Sequence, residues 1–117
     1  MQDFKKLKVW EKSRQLTLAI YKAAAHFPKD ELYGLTSQIR RSSASIPANI
    51  AEGCGRSGKA ELPRFPQVSM GSARELDYHL LLAHELGFLS PADYNQLESG
   101  VVESKRMLCS VIDKLRS

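Results

Sequence analysis

Hydrophobic residues recur every three or four positions along most of the chain, which is the spacing of one face of an α-helix. The longest such stripe lies near the end of the chain and continues through three heptads: Tyr94, Leu97, Val101, Ser104, Leu108, Val111 and Leu115. Ser90 precedes the stripe as a helix cap, and Pro91 suits the first helical position. Gly100 lies in the middle and indicates a point where another helix crosses closely. The pattern therefore predicts a helix that begins at Pro91.

Two earlier stripes predict helices over residues 7–26 and 35–54. The first is Leu7, Trp10, Ser13, Leu16, Ile20, Ala23 and Phe27. It ends before Pro28, because a residue that precedes proline avoids the helical region. The second is Leu35, Ile39, Ile46, Ile50 and Gly53. Small residues lie between its members and would let a neighbouring helix approach closely: Ser42, Ser43, Ala44, Ser45, Ala48 and Ala51.

Pro47 lies inside the second of these helices. It lacks the amide that would bond the carbonyl of Ser43, so we expect a kink there. Asn49 and the nearby serines are expected to satisfy the freed carbonyl. We interpret Asn49 and Glu52 as structural residues, and Gly53 as part of the signal that ends the helix.

A remaining helix is predicted between these elements, ending at Leu86-Gly87. Pro63 and Pro66 interrupt its first turns, so regular helix is expected only from near Pro66. Residues 78–89 are apolar on nearly all sides, which is more than one buried stripe requires and predicts a subunit interface. The chain shows no strand-like alternation, so we expect a single all-α domain over residues 1–117.

Residues 33–56 read YGLTSQIRRSSASIPANIAEGCGR, with DFKKLKVWEKS upstream and LGFL downstream. The sequence resembles the four-helix-bundle family of intervening sequences in large-subunit ribosomal RNA genes, to which the accessory variability determinant of diversity-generating retroelements is related. The resemblance covers residues 3–115. It implies an antiparallel, up-and-down, left-handed four-helix bundle with a kinked second helix, assembled as a homopentamer. It also implies a role with nucleic acid and brings no known catalytic site.

The charge is unevenly distributed along the chain. The chain has a net charge of +4, but residues 1–59 carry 11 basic and 5 acidic side chains, whereas residues 60–117 carry 6 and 8. A basic first half suits a polyanionic partner, and a solvated charged face explains it equally well. The candidate residues for binding DNA or RNA are Lys5, Lys6, Lys8, Lys12, Arg40, Arg41, Arg56 and Lys59. Arg40 and Arg41 are equally suited to intersubunit salt bridges, and Trp10 and Tyr33 are the aromatic candidates for stacking.

Residues 53–59 match the pattern of a phosphate-binding loop, G-x-x-x-x-G-K, but lack its context. Ala60 stands where the loop needs serine or threonine, and a predicted helix precedes it instead of a strand. The histidines have no zinc-site spacing, and His79 is expected in the core or at an interface. No nucleophile and base form a recognisable pair. We therefore expect no enzyme activity, metal or cofactor.

Cys54 and Cys109 have no CxxC spacing, so free thiols in a reducing cytoplasm are expected. No apolar run reaches the ~20 residues of a membrane span. Two functions remain open at this point. One is a basic oligomer that binds nucleic acid and passes it to a partner such as a reverse transcriptase. The other is a structural or adaptor protein whose pentameric ring binds another protein.

Overall fold

A computed structural model describes residues 3–55 and 64–116 of the chain. Within these ranges the protein has four α-helices, two short 3-10 turns and no strand, which confirms the all-α class. The 3-10 turns are Phe4–Lys6 and Lys29–Glu31. The helices are α1 (Lys8–Ala24), α2 (Leu35–Cys54), α3 (Arg64–Glu85) and α4 (Pro91–Arg116).

The helix ends follow the predicted signals closely. Helix α2 has both predicted ends, and the Ser90 hydroxyl oxygen accepts the Asp93 amide at 3.1 Å to cap α4. Helix α3 ends at Glu85, just before the predicted Leu86-Gly87, and the φ of 80° at Gly87 lets the Phe88 amide return to the Ala83 carbonyl. It is already helical at Arg64, two residues before Pro66, while Pro63 lies outside the described residues.

Helix α1 is shorter than predicted at its far end. It ends at Ala24 instead of His26, because the amides of His26 and Phe27 bond carbonyls only three residues back. This tighter turn leads the chain into Pro28, which cannot continue a helix.

All four helices contribute to one cluster of buried side chains. Helices α1 and α3 each pack against both α2 and α4. The predicted stripes need correction at their ends: on α1 the buried residue of the first turn is Val9, and Trp10 is only partly buried. On α4 the stripe passes from Leu108 to Ile112, and Leu115 is 39% exposed. A straight helix of 3.6 residues per turn drifts away from a strict seven-residue repeat, so a heptad extrapolated over many turns fails at its end.

Two glycines mark close approaches between helices. A Cβ atom on Gly100 of α4 would lie 2.9 Å from the Leu16 Cδ1 atom of α1, which confirms the predicted crossing. A Cβ atom on Gly53 would lie 2.9 Å from Phe65 Cβ on α3. Both glycines therefore allow a helix spacing that alanine would disturb.

Helix α2 continues through Pro47 because a neighbouring helix supplies the missing donor. The freed Ser43 carbonyl accepts the Thr17 hydroxyl of α1 at 2.9 Å, and Thr17 is equally close to its own helical carbonyl at Ser13. The prediction that Asn49 satisfies the freed carbonyl is wrong: its Nδ2 donates to the Ser45 carbonyl at 2.8 Å. The Asn49 side chain therefore bonds within α2, one turn back along the helix.

The small residues of α2 form a polar seam with α3. The Ser69 hydroxyl donates to the Ile46 carbonyl at 2.9 Å, and the hydroxyls of Ser45 and Ser72 lie 2.8 Å apart. Because serine is small, the two helices come close enough for these bonds to cross between them. The predicted close approach at α2 is thus confirmed.

Candidate nucleic-acid interface

The first 3-10 turn presents two lysines at one end of α1. The Asp3 carboxylate accepts the Lys5 amide at 3.1 Å and caps the turn. The Phe4 ring packs edge-on against Trp10, with centroids 5.1 Å apart, and so holds the turn against α1. The side chains of Lys5 and Lys6 remain exposed.

Lys8 and Lys12 continue this positive region along α1. They lie one helical turn apart on the same face, and both are exposed. We call Lys5, Lys6, Lys8 and Lys12 the N-terminal lysines. Among residues 3–55 and 64–116, no carboxylate lies within the 4.0 Å of an ion pair with any of them.

Several other cations are engaged inside the protein. The Arg14 guanidinium bonds Glu11 on the same helix at 2.6 Å. Lys105 of α4 bonds Asp77 of α3 at 2.8 Å, and Arg106 bonds Glu103 one turn before it. The N-terminal lysines therefore differ from these cations in forming no ion pair in the described part of the chain.

The adjacent arginines of α2 turn towards different helices. Arg41 bonds Glu75 of α3 at 2.9 Å and Gln38 at 2.8 Å. The Arg40 guanidinium lies 5.1 Å from the ring centroid of Tyr21 on α1. The Arg40 Nε atom is buried and has no hydrogen-bond partner among the described residues. Arg40 and Arg41 therefore make different contacts although they are adjacent in the sequence. Each guanidinium group already interacts with another side chain of the same protomer.

The remaining predicted basic residues, Arg56 and Lys59, lie outside the described residues. The residues before the G-x-x-x-x-G-K match form a helix, α2, as predicted, whereas a phosphate-binding loop follows a strand. Of the aromatic candidates, Trp10 is half-buried between Phe4 and Arg14, whereas Tyr33 is 93% exposed. Only Tyr33 has a free ring face for stacking.

Sequence reasoning missed a groove between α1 and α4. Its volume is about 330 Å³, and its lining residues are Lys12, Gln15, Leu16, Ala19, Gln96, Leu97, Ser99, Gly100 and Glu103. The signal available in the sequence was Gly100, whose missing side chain marks the crossing. One of the N-terminal lysines, Lys12, lies at this groove.

A second missed feature is a carboxyl pair between α3 and α4. The pKa of Glu98 is raised to about 7, mainly because the carboxyl group is buried and secondly because Asp77 lies next to it. The pKa of Asp77 is lowered, mainly by a hydrogen bond from Glu98 and to a smaller extent by the Lys105 cation. The Glu98 Oε2 atom is buried and has no hydrogen-bond partner among the described residues. A proton shared by the two carboxyl groups therefore resides on Glu98, because its pKa is raised while that of Asp77 is lowered.

His79 lies in the core, as predicted, and its Nδ1 atom is 3.1 Å from the Ser42 hydroxyl. Burial lowers the pKa of His79, which favours its neutral form. This serine–histidine pair was not recognised in the sequence. Ser42 has no exposed surface, so its hydroxyl is closed to a substrate. Across the described ranges, no three His, Cys, Asp or Glu side chains are grouped to hold a metal.

The other residues of the sequence motif are placed as follows. Glu52 is exposed near the end of α2, and its carbonyl accepts the Gly55 amide at 3.1 Å. Gly53 is buried against Phe65, as described above. Within the described residues, no helix combines the length and the apolar character that crossing a bilayer demands.

These residues define an all-helical protein of four packed helices with a basic N-terminal region. Residues 5–110 match the family described as 23S rRNA-intervening sequence protein, and the chain belongs to this family. The resemblance found at residues 33–56 is thereby confirmed.

One solved structure is similar to this chain along most of the length of both proteins. It is the crystal structure of a protein of unknown function from the S23 ribosomal protein family of Bacteroides thetaiotaomicron, 25% identical, with a TM-score of 0.80. The similarity covers 89% of this chain and 97% of that one. A search among curated proteins found no match.

Proposed function

We propose that this protein is a non-enzymatic oligomer that binds nucleic acid through its basic surface. The observation that carries the proposal is the set of N-terminal lysines, which are exposed and form no ion pair within the described residues. Lysine binds phosphate as a point charge without reading a base, so affinity with little sequence preference is expected. Arg40 and Arg41 remain further candidates, as do Arg56 and Lys59, which lie outside the described residues.

The proposed bundle is antiparallel, up-and-down and left-handed, as the family resemblance implies. Contacts between α1 and α2 support the direction, because Thr17 contacts Ser43 whereas the later Tyr21 contacts the earlier Arg40. Contacts between α2 and α3 support it too: Ser45 meets Ser72, and Ser42 meets His79. We also propose the kink of α2 at Pro47.

We propose that the protein assembles as a homopentamer. Apolar side chains on the outward side of α3 support self-association, since Tyr78 is 61% and Leu81 42% exposed. Five copies with a net charge of +4 each would carry +20 in one particle. Such a particle would attract a polyanion strongly at low salt. Multi-angle light scattering at micromolar concentration tests the assembly, and a stable monomer would refute it.

The family description connects these proteins with an intervening sequence of 23S ribosomal RNA. We therefore propose RNA or DNA as the first ligand and the cytoplasm as the site of action. A reverse transcriptase that receives the nucleic acid is the proposed protein partner.

A salt titration of fluorescence anisotropy tests the proposal, with a labelled duplex and a labelled single strand. Binding should be present at about 50 mM salt and weaken steeply as salt increases, because each neutralised duplex phosphate contributes about −0.9 to the slope of log K against log salt. Absence of binding to both probes at low salt, with the oligomer intact, would overturn the proposal.

The alternative is a structural or adaptor protein whose ring binds another protein. The specific observation in its favour is again the exposed pair Tyr78 and Leu81, because an apolar patch serves a foreign partner as well as a second copy. Pull-down with and without nuclease separates the two functions: a protein partner that remains after nuclease treatment supports the adaptor.

A further inference from the structure

The groove between α1 and α4 has unused hydrogen-bonding capacity. Of its polar side chains, Glu103 is bonded to Arg106. The amides of Gln15 and Gln96 and the hydroxyl of Ser99 have no hydrogen-bond partner in the described part of the chain. By contrast, Gln38 and Asn49 on α2 use their amides within the protein.

The floor and the rim of the groove differ in chemistry. Leu16 and Leu97 are buried and form an apolar floor, and Leu16 packs against Gly100, where a Cβ atom would lie 2.9 Å from its Cδ1 atom. Lys12 supplies a positive charge at the groove, and the charge of Glu103 is offset by Arg106 and, at longer range, by Lys12. A ligand that fits has one apolar face, a hydrogen-bonding edge and an attached anion.

An unpaired nucleobase with its phosphate has these three properties. Its flat face suits an apolar floor, and glutamine amides pair with base edges through one donor and one acceptor. The volume of about 330 Å³ is at the lower end of the roughly 300–1,000 Å³ of small-molecule sites, which suits one small planar group.

We propose that the α1–α4 groove holds one unpaired base of a single strand, with the adjoining phosphate on Lys12. This inference rests on the proposed nucleic-acid function and adds to it a preference for single strands. A base inside a duplex cannot enter the groove, because its edge is paired and its faces are stacked. The N-terminal lysines contribute affinity for both single strands and duplexes. The groove adds affinity for single strands only.

Two variants test the groove through different changes. The double variant Gln15→Leu with Gln96→Leu removes both amides at similar volume, and Ser99→Phe fills the groove from an exposed position on α4. Gln67→Leu, at an exposed position of α3, is the matched control. Affinities are measured for a labelled single-stranded RNA of about 12 nucleotides and for a duplex of the same length, near the site sizes of single-strand binders.

Both groove variants should bind the single strand about tenfold more weakly, as expected for the loss of one bound base. Duplex affinity should stay within about twofold of wild type, and the control should match wild type with both probes. Single-strand affinity that survives both changes overturns the inference while the lysine-based function stands. An equal loss with both probes also overturns it. Wild-type protein that binds neither probe refutes the proposed function itself. Circular dichroism melts confirm that each variant is folded.

Discussion

The cations at the start of α1 and those of α4 have the same charge but different surroundings. Lys105 and Arg106 of α4 each bond a carboxylate. Lys5 and Lys8 have no such partner in the described residues. The comparison teaches that the number of positive charges matters less for binding a polyanion than the number left without an anion.

The difference follows from where the acidic residues lie. Residues 60–117 contain 8 of the 13 acidic side chains, and Lys105 and Arg106 find their partners there, on α3 and α4. Near the start of α1, Glu11 is held by Arg14, and Arg106 holds the Glu103 that faces Lys12. The lysines there remain available to an external anion.

The largest expected effect is a loss of stability when Lys105 of α4 is replaced by an uncharged residue. Lys105→Met keeps most of the side-chain volume but leaves Asp77 beside Glu98 without its counter-charge. We expect a loss of about 2 kcal/mol in the free energy of unfolding, less than for a fully buried pair because the site is partly solvated. Urea unfolding measures it.

Lys8→Met is the control for that experiment, because Lys8 is exposed and has no ion pair among the described residues. Its unfolding midpoint should stay at the wild-type value. Equal losses for the two variants would contradict the contrast between paired and unpaired lysines.

A smaller loss of stability is expected at the hydrogen bond between α1 and α2. Thr17→Val removes the donor to the Ser43 carbonyl that Pro47 leaves free, at an expected cost of about 1–2 kcal/mol. Pro47→Ala should restore an amide donor within α2, so the Thr17 change should cost less in that background. A double-mutant cycle by thermal melting measures the coupling. Strictly additive losses would mean that Thr17 does not compensate for the proline.

The smallest effect concerns pH and the carboxyl pair of α3 and α4. The folded pKa of Glu98, about 7, lies above the ordinary value of 4.5, so its stabilising contribution is complete below pH 4.5 and is lost as pH rises through 7. Glu98→Gln should therefore raise the melting temperature at about pH 8 more than at about pH 5. The gain is about 1 kcal/mol after allowance for solvent screening.

Glu85→Gln is the control, since Glu85 is an exposed carboxylate on α3. It should leave the melting temperature near the wild-type value, because the side chain is exposed. The lowered pKa of His79 acts in the opposite direction, since its contribution is present above pH 6.5 and is lost as pH falls below that value. A stability gain for Glu98→Gln that is equal at both pH values would argue against the shared proton.

Local signals in the sequence were sufficient for much of the fold. The apolar stripe and the glycine after it placed the ends of α2, and Ser90 with Pro91 placed the start of α4, because such signals act within one helical turn. The donor to Ser43 was misassigned because Thr17 lies 26 positions away on another helix. The same limit applies to function: Arg41 and Glu75 are 34 positions apart, and Lys105 and Asp77 are 28 apart. Which cations are free depends on which helices meet.

The central claim is that unpaired lysines at the start of α1 bind the polyanion. It is tested most directly by comparing the salt dependence of duplex binding in two triple variants of equal charge. One changes Lys5, Lys6 and Lys8 to alanine, and the other changes Lys22, Lys29 and Arg74, which are exposed elsewhere. The account predicts that the first variant lowers the slope of log K against log salt by up to ~2.7, at ~0.9 per phosphate contact, while the second leaves it near wild type. The control cations also form no ion pair among the described residues, so the two variants differ only in where the charges lie. Equal reductions in both slopes would contradict the claim, because the position of the lysines at the start of α1 would then not matter.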